Sequence, residues 1–338
     1  MIPQSPSQGA AVERAFFGTR DGGILVGYGP FTKQAIPPES GVAFYRNDFS
    51  LSEPTPWWVP DRVAEFEGGD AISTPEIHWT TPEPADFAEV FREVSVAIEQ
   101  GVIQKSVPVV TERGNLKAGH VEGILSRFDD LAPALRPYGW IGDEEGFLGV
   151  TPEVLFRFFD GRIDTMALAG TARSDEADIF AVDDKEIREH EFVAQTLIEK
   201  LSSLGMVRRK ERDILNLGQL IHFRTLIEVE LYKHEEIGKL IAHLHPTPAL
   251  GPLPRTGETL SQLHFWRERL DCPREFGAPF GLLQDGDFEA LVAIRMLGWK
   301  GDEFQLPSGC GVIAESRLVN EWRELGLKRD SVRRLLLG

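Results

Sequence analysis

The sequence predicts a single α+β domain, because strand-like and helix-like segments fall into separate runs without a regular β-α-β alternation. Residues 1–80 alternate short apolar stretches with clusters of Gly, Pro and Ser, which is typical of strands and turns. Apolar residues at helical spacing follow in residues 84–100. No repeat, linker or shift in composition interrupts the 338 residues. We therefore predict one domain over residues 1–338, with a β-rich part over 1–80 and the remainder over 84–338.

The order of the remaining elements follows from the same periodicities. The first helix presents an apolar face through Phe87, Val90 and Val94 after a start marked by Pro84. Aromatic and aliphatic strand formers dominate the middle of the chain. We predict strands over residues 103–110, 140–150 and 155–169, and further helices over residues 118–132, within 174–204 and over 318–336.

The charge balance excludes several classes of partner. With 36 Lys and Arg against 53 Asp and Glu, the net charge is −17, which repels phosphate backbones and anionic membrane surfaces. We therefore expect no nucleic-acid partner and no membrane association. If the substrate is an anion, the site must supply local positive charge through a divalent metal or a few basic side chains.

Cysteine usage and the N-terminus indicate a cytoplasmic protein. Cys272 and Cys310 cannot form a disulfide framework in a chain of this size, and no C-x-x-C spacing occurs. Residues 1–10 are polar and lack the basic and apolar regions of a secretory signal, and no apolar run approaches the ~20 residues of a membrane span. We expect a protein that is not exported.

Two acidic pairs are candidates for metal binding. Glu186 with Glu189, and Glu321 with Glu324, each have i, i+3 spacing on a predicted helix, so both carboxylates of a pair project from one face. Two such helices packed together would suit a hard cation such as Mg²⁺. Either pair alone is more often a solvated helix face.

Other candidate residues stand at the ends of predicted elements. Arg295 interrupts the apolar run over 291–296, where a buried guanidinium needs an anionic partner. His245 lies in a proline-rich loop and either serves function or bonds to backbone. The glycine-spaced loop over 308–313 can present backbone N–H groups to an anion, although a tight turn looks the same. Lys105 and Glu153 taken alone are typical of a strand end and a turn.

Seven motifs, taken in order, resemble those of the chorismate-binding enzymes, the family that includes isochorismate, salicylate, anthranilate and aminodeoxychorismate synthases. The resemblance runs from about Phe87 to the C-terminus. The motifs are residues 147–153 (FLGVTPE), 168–173 (LAGTAR), 186–191 (EIREHE), 245–250 (HPTPAL), 293–295 (AIR), 309–313 (GCGVI), and 321–324 (EWRE) with Lys328.

The resemblance implies a fold and a role for each candidate residue. The family fold is one large α+β domain in which two β-sheets stack over a buried core with helices outside. Lys105 matches the general base that activates water, and Glu153 matches the acid that protonates the departing hydroxyl. Glu153 must then hold its proton near neutral pH, which requires a raised pKa. The metal ligands or their partners would be Glu186, Glu189, Glu321 and Glu324, with Mg²⁺ as the cofactor.

The resemblance also implies a set of substrate contacts. Arg295, Lys328 and the backbone of residues 311–313 match groups that receive the substrate carboxylates. The expected substrate-binding residues are Gly170, Thr171, His245, Ala249, Leu250, Phe276, Arg295, Gly311, Val312 and Lys328.

The pocket residues favour one reaction of this family. Isochorismate synthases resemble the chain at Ala249, Leu250 and Phe276, whereas salicylate synthases more often carry threonine and tyrosine hydroxyls at corresponding places. Lys105 argues against the members that transfer ammonia, and we expect no glutaminase subunit. The first expectation is therefore an isochorismate synthase of menaquinone or siderophore biosynthesis. A salicylate synthase, which also eliminates pyruvate, and a non-catalytic chorismate-binding homologue are the alternatives.

Overall fold

The computed structural model describes residues 13–68 and 72–338. The N-terminal residues used above to exclude a secretory signal lie outside the described residues. In the described part of the chain, no helix combines the length and apolar character needed to cross a membrane.

Antiparallel strands are the most abundant regular structure in the described part of the chain. Alternating buried positions and β-branched or aromatic residues explain why these segments are extended. The strands are β1 (Arg14–Gly18), β2 (Ile24–Tyr28), β3 (Thr32–Gln34), β4 (Val42–Arg46), β5 (Trp57–Val59), β6 (Arg62–Glu65), β7 (Glu76–Thr80), β8 (Val109–Ala118), β9 (Arg136–Ile141), β10 (Glu145–Thr151), β11 (Val154–Phe159), β12 (Arg162–Arg173), β13 (Gly205–Arg209), β14 (Asp213–Asn216), β15 (Leu220–Leu231), β16 (Pro279–Gln284), β17 (Asp287–Val292), β18 (Met296–Lys300) and β19 (Glu303–Gly309).

The helices begin at residues suited to that position. Pro84 opens the first helix, where its missing N–H costs nothing. The Asp183 carboxylate and the Thr256 hydroxyl accept hydrogen bonds from backbone N–H groups at the starts of two others. The α-helices are α1 (Pro84–Glu99), α2 (Ala177–Phe180), α3 (Asp184–Ser202), α4 (Ile237–Leu244), α5 (Gly257–Arg269) and α6 (Leu318–Leu336), and 3₁₀ helices cover Val121–Asp130 and Ser174–Glu176.

The strands form two large sheets, as predicted for this α+β fold. The first sheet has the order β6-β2-β1-β9-β10-β18-β19-β8-β7. The second has the order β13-β15-β12-β11-β17-β16-β4-β5-β3, with β14 paired to β15. Strands from residues 14–80 join both sheets next to much later strands, so this β-rich part does not form a separate unit.

An aromatic cluster joins the inner faces of the two sheets. Tyr138 and Phe147 of the first sheet lie against Phe280 of the second, with ring centroids 5.8 and 5.7 Å apart. Trp58 and Trp140 meet edge to face at 5.7 Å across the same junction. Such pairs add to the free energy gained by burying the rings. The two sheets are therefore stacked over a common core.

A buried ion pair fixes helix α6 against the first sheet. Arg329 of α6 donates through Nε to Glu112 Oε2 of β8 at 3.1 Å and through Nη1 to Ser308 Oγ of β19 at 2.9 Å. Arg333, one turn later, contacts the other Glu112 oxygen. Both Glu112 and Arg329 are buried, so each charged group needs the other to compensate for its lost contact with water.

Three local predictions need correction. Residues 121–130 form a 3₁₀ helix instead of the α-helix predicted over 118–132. Lys105 and Ser106 make only isolated bridges, and the strand begins at Val109, because Pro108 has no N–H to donate. Arg295 lies between β17 and β18 and not inside a strand, because the chain crosses there from one sheet to the other.

Replacing Glu112 tests whether the buried pair is needed for stability. Glu112→Gln keeps the shape of the side chain but removes the carboxylate that pairs with Arg329 and Arg333. The free energy of unfolding should therefore fall by about 3–5 kcal/mol. Urea unfolding followed by circular dichroism measures the loss. The matched control is Glu228→Gln, which removes an exposed pair with Lys210 and should cost less than about 1 kcal/mol. Equal losses for the two variants would contradict this account.

Candidate active site

The candidate site lies where the chain crosses between the two sheets. Glu153 stands between β10 of the first sheet and β11 of the second, and Arg295 stands between β17 of the second and β18 of the first. Both side chains line one cavity at this crossing. Each of these two residues follows the apolar run of a strand. The ends of those strands therefore bring both residues to the junction between the sheets.

The cavity contains most of the side chains predicted for the site. Its other lining residues come from β12, α3, β15, β19, α6 and the loops between. From the predicted set, the cavity is lined by Glu153, Gly170, Thr171, Glu189, Ala249, Leu250, Phe276, Arg295, Gly311, Glu324 and Lys328.

Glu153 is held as a buried acid. Its carboxylate is only 3% exposed, and Thr247 Oγ1 donates to its Oε1 at 3.0 Å. Burial raises the pKa of Glu153 to about 7, although the Thr247 hydroxyl and the ammonium groups of Lys105 and Lys328 act in the opposite direction. A large fraction of this residue therefore carries a proton near neutral pH, as predicted for an acid.

Arg295 is fixed in an uncommon backbone conformation. Its φ is +53°, which costs a non-glycine residue free energy and is often found at functional sites. Tyr138 Oη donates to the Ile294 carbonyl at 2.9 Å, and Val150 N donates to the Arg295 carbonyl at 3.1 Å. These hydrogen bonds hold the guanidinium in the cavity wall.

The Arg295 guanidinium carries a charge that the described residues do not neutralise. No carboxylate in residues 13–68 or 72–338 forms an ion pair with it; its Nη2 donates instead to His222 Nε2 at 2.5 Å. Burial lowers the pKa of Arg295 to about 10, which leaves it cationic at neutral pH. The anionic partner expected from the sequence is therefore one that the cavity can receive from solution.

His222 is a site residue that the sequence reasoning missed. Its Nδ1 lies 2.9 Å from the Gly170 carbonyl, so Nδ1 carries the hydrogen and Nε2 accepts from Arg295. Burial and the nearby Arg295 lower the pKa of His222 well below its ordinary value, so the ring is neutral. A histidine within the apolar run of β15 was the signal that could have indicated it.

Lys105 lies beside the cavity, behind Glu189. The lysine is fully buried, and its Nζ lies 3.3 Å from Glu189 Oε1. Within the described part of the chain this nitrogen makes no hydrogen bond. Backbone bridges to Leu253 and between Ser106 and Val312 hold this segment in place. Glu189 separates Lys105 from the cavity.

The two acidic pairs converge, and a lysine stands among them. Helix α3 carries Glu186 and Glu189, and helix α6 carries Glu321 and Glu324. Lys185 Nζ lies 2.9 Å from Glu186 Oε1, 3.2 Å from Glu321 Oε1 and 3.8 Å from Glu189 Oε2. The sequence reasoning missed Lys185, although a lysine in the first turn of a helix was a signal.

Burial and mutual repulsion set the charges of these carboxylates. Burial, then neighbouring carboxylates, raise the pKa values of Glu186 and Glu321 to about 7. Burial acts in the same direction on Glu189, but the ammonium groups of Lys105, Lys185 and Lys328 outweigh it and lower its pKa. Four glutamates meet three lysines here, so when all four carboxylates are ionised the cluster keeps a negative charge that a cation can neutralise.

The chemistry of these donors suits Mg²⁺, although their geometry is not that of a formed site. In the described ranges, no group of three His, Cys, Asp or Glu side chains is arranged for metal binding. The donors are all carboxylate oxygens, and Glu321 is 1% exposed with no hydrogen bond to either oxygen within those ranges. Buried oxygens of this kind are hard ligands for a small divalent ion.

Lys328 and two glycines complete the cavity wall. Lys328 Nζ lies 2.6 Å from Glu324 Oε1 and donates to the Gly309 carbonyl at 2.9 Å. A Cβ at Gly311 would overlap Glu189 Oε1, and Gly170 has a φ of +78° beside Glu186. Only glycine allows the backbone to approach the carboxylates so closely.

The structure corrects two of the predicted substrate contacts. His245 lies outside the cavity, where its Nε2 is 2.7 Å from the Phe49 carbonyl, so the alternative of a backbone contact holds. The Val312 N–H donates to the Ser106 carbonyl at 2.8 Å, and the Ile313 N–H donates to Ser316 Oγ at 3.1 Å. These two N–H groups are already engaged within the protein.

Comparisons with known proteins agree with this architecture. A family model described as chorismate binding enzyme matches residues 67–337. The chain is 32% identical over 202 residues to the salicylate biosynthesis isochorismate synthase of Pseudomonas aeruginosa, covering 56% of this chain and 42% of that protein. It is 28% identical over 290 residues to the isochorismate synthase MenF of Escherichia coli, covering 81% and 65%. The chain thus spans less than two thirds of the length of these relatives.

Solved structures show the same fold. The structure of MenF from Escherichia coli, described as a menaquinone-specific isochorismate synthase, has a TM-score of 0.82 at 19% identity and covers 98% of this chain and 90% of that chain. Anthranilate synthase component I from Streptococcus pneumoniae has a TM-score of 0.68 at 14% identity and covers 98% and 94%. The two-sheet fold is therefore common to proteins named for different reactions. From the match over residues 67–337, the chain belongs to the chorismate-binding enzyme family.

Proposed function

We propose that the chain is an isochorismate synthase, a Mg²⁺-dependent isomerase that converts chorismate to isochorismate. The observation that carries the proposal is a buried guanidinium, Arg295, that lines one cavity with Lys328 and with Glu153, whose pKa is raised to about 7. Chorismate carries two carboxylates and a ring hydroxyl. The cavity supplies cations for the carboxylates and an acid for the hydroxyl.

The proposed reaction needs two proton transfers at different ring carbons. Water adds at one carbon after giving a proton to Lys105 in its neutral amine form, the ring double bonds shift, and the 4-hydroxyl leaves as water with a proton from Glu153. The proton on Lys105 then returns to Glu153 through solvent. The sum is an isomerisation, since one water enters and one leaves. Because Glu189 separates Lys105 from the cavity, the attacking water must lie beside Glu189.

Mg²⁺ would be held by Glu186, Glu189, Glu321 and Glu324. When bound, it would neutralise these carboxylates and supply positive charge to a substrate carboxylate. This contribution matters in a chain with a net charge of −17, because Glu189 and Glu324 line the cavity and would otherwise repel a dianion.

The apolar wall of the cavity supports release of isochorismate over further elimination. Ala249, Leu250 and Phe276 line the cavity and carry no hydroxyl that could assist departure of the enolpyruvyl group as pyruvate. Salicylate formation on the same scaffold is the second candidate. The names of the relatives from Pseudomonas aeruginosa and Escherichia coli also include isochorismate synthase.

We also propose a binding partner and a cellular location for the protein. Chorismate is the small-molecule partner, and water as the nucleophile makes a glutaminase subunit unnecessary. Because the two cysteines form no disulfide framework, we place the protein in the cytoplasm, in menaquinone or siderophore biosynthesis.

The proposed acid and base are tested by product analysis. Purified protein with chorismate and Mg²⁺ should yield isochorismate, identified by liquid chromatography and mass spectrometry. Lys105→Ala and Glu153→Gln should each lower turnover by about 10²- to 10⁴-fold, the range for a general acid or base. Chorismate binding, measured by calorimetry, should largely persist because neither residue contacts the carboxylates in the proposed mechanism.

The matched controls are Lys117→Ala and Glu144→Gln, which remove exposed side chains of the same types and should keep wild-type turnover. Salicylate with pyruvate as the products would support the second candidate. Unchanged chorismate would indicate a non-catalytic homologue. Near wild-type turnover in either active-site variant would refute the assigned roles.

Product choice is tested at the apolar wall. The double substitution Phe276→Tyr with Ala249→Thr places two hydroxyls in the cavity and should raise the fraction of turnovers that release pyruvate, measured with a lactate dehydrogenase coupled assay. Phe265→Tyr, at an exposed phenylalanine, is the control and should leave the product ratio unchanged. A double variant that still releases only isochorismate would show that another feature determines the product.

A further inference from the structure

Lys185 occupies the centre of the carboxylate cluster. It is the second residue of α3, and its ammonium contacts two carboxylates of the same helix and one of α6 at 2.9 to 3.8 Å. Burial alone would lower the pKa of Lys185. The surrounding carboxylates, Glu189 and Glu321 foremost, outweigh burial and raise this pKa above its ordinary value. Its charge holds α3 and α6 together.

The position of Lys185 in its helix is unfavourable without these carboxylates. The first turn of a helix carries a partial positive charge, which disfavours a cation there. Asp183 caps this turn by accepting hydrogen bonds from the N–H groups of Lys185 and Glu186. The lysine is therefore kept at this place by the cluster and not by helix preference.

The same oxygens are the proposed ligands of Mg²⁺. Lys185 Nζ lies 2.9 to 3.8 Å from oxygens of Glu186, Glu189 and Glu321, so a Mg²⁺ held by these three carboxylates would compete with the ammonium for the point between them. Two cations cannot share that point. We infer that Lys185 is an internal counterion that holds the carboxylate cluster in the metal-free protein and is displaced when Mg²⁺ binds, an inference that rests on the proposed role of magnesium.

A place for the displaced side chain exists beside the cluster. Lys185 is 23% exposed at its side chain and lines an open cleft of about 570 Å³. Acidic groups of the same cleft include Glu176, Asp183 and Glu315. Asp183 and Glu315 already bond to other groups, and Arg173, Arg317 and Arg323 line the same cleft. An ammonium that rotates outward would therefore mainly reach water, without unfolding the helix.

The inference predicts competition between the lysine and the metal. Lys185→Met should bind Mg²⁺ at least about tenfold more tightly than the wild type in calorimetric titrations without substrate, because no ion pairs must be broken. In EDTA the variant should melt at a lower temperature than the wild type, since its carboxylates repel one another, and Mg²⁺ should restore the difference.

The matched control is Arg188→Met, which removes a cation from the same helix that pairs with Glu315 outside the cluster. Its affinity for Mg²⁺ should stay within about threefold of the wild type, because only the long-range charge changes. If Lys185→Met binds Mg²⁺ no more tightly than the wild type does, the inference is wrong.

A second measurement uses the unmodified protein. Saturating Mg²⁺ should raise the rate at which an N-hydroxysuccinimide ester acetylates Lys185 by about fivefold or more, measured by peptide mass spectrometry, because displacement exposes the amine. Lys210, which is exposed and pairs with Glu228 outside the carboxylate cluster, should react at an unchanged rate. A Lys185 rate that does not respond to Mg²⁺ would overturn the inference even if the methionine variant failed to fold.

These measurements need neither chorismate nor turnover. A protein that shows the lysine displacement but makes no isochorismate would contradict the proposed function alone. One that makes isochorismate with an unresponsive Lys185 would contradict the displacement alone.

Discussion

The site depends on the burial of charges that must balance one another where the two sheets meet helices α3 and α6. Water cannot screen them there, so each ionisable group takes the charge that its neighbours allow. Four glutamates and three lysines form one part of this cluster, and Glu189 keeps its negative charge through the lysines around it. Arg295 lies apart with a neutral histidine. One end of the cavity is therefore suited to anions and the adjoining cluster to a cation.

The fold makes this arrangement rigid. Glu153 and Arg295 lie in two of the short segments that connect the stacked sheets, and the aromatic cluster between the sheets fixes the separation of those segments. The buried pair of Glu112 and Arg329 attaches α6, which carries Glu324 and Lys328, to β8 and β19. The aromatic cluster and this ion pair stabilise the fold from outside the cavity. The cavity can therefore contain charged groups that destabilise the folded chain locally.

Much of the site was predictable because its residues interrupt regular patterns. The i, i+3 glutamates read correctly as helix residues, since α3 and α6 have clear apolar faces, and Glu153 and Arg295 stood out beside apolar strands. The strand position of Arg295 was wrong because periodicity does not show where a chain changes sheets. That of Lys105 was wrong because Pro108, which follows it, has no N–H to donate. Lys185 and His222 were missed because their roles come from contacts with residues about 50 to 140 positions away. His245 shows the opposite error, since a histidine in a rigid loop proved to contact backbone.

The central claim is that burial sets the charge of the ionisable groups in the cavity, and Glu153 tests it most directly. Its proton should be visible in difference infrared spectra between the wild type and Glu153→Gln, as a carboxylic acid band that disappears with rising pH. The band should titrate with a pKa of about 7. Since Thr247 stabilises the ionised form, Thr247→Val should move this titration to higher pH. A band that titrates near 4.3, the ordinary value for glutamate, would contradict the account.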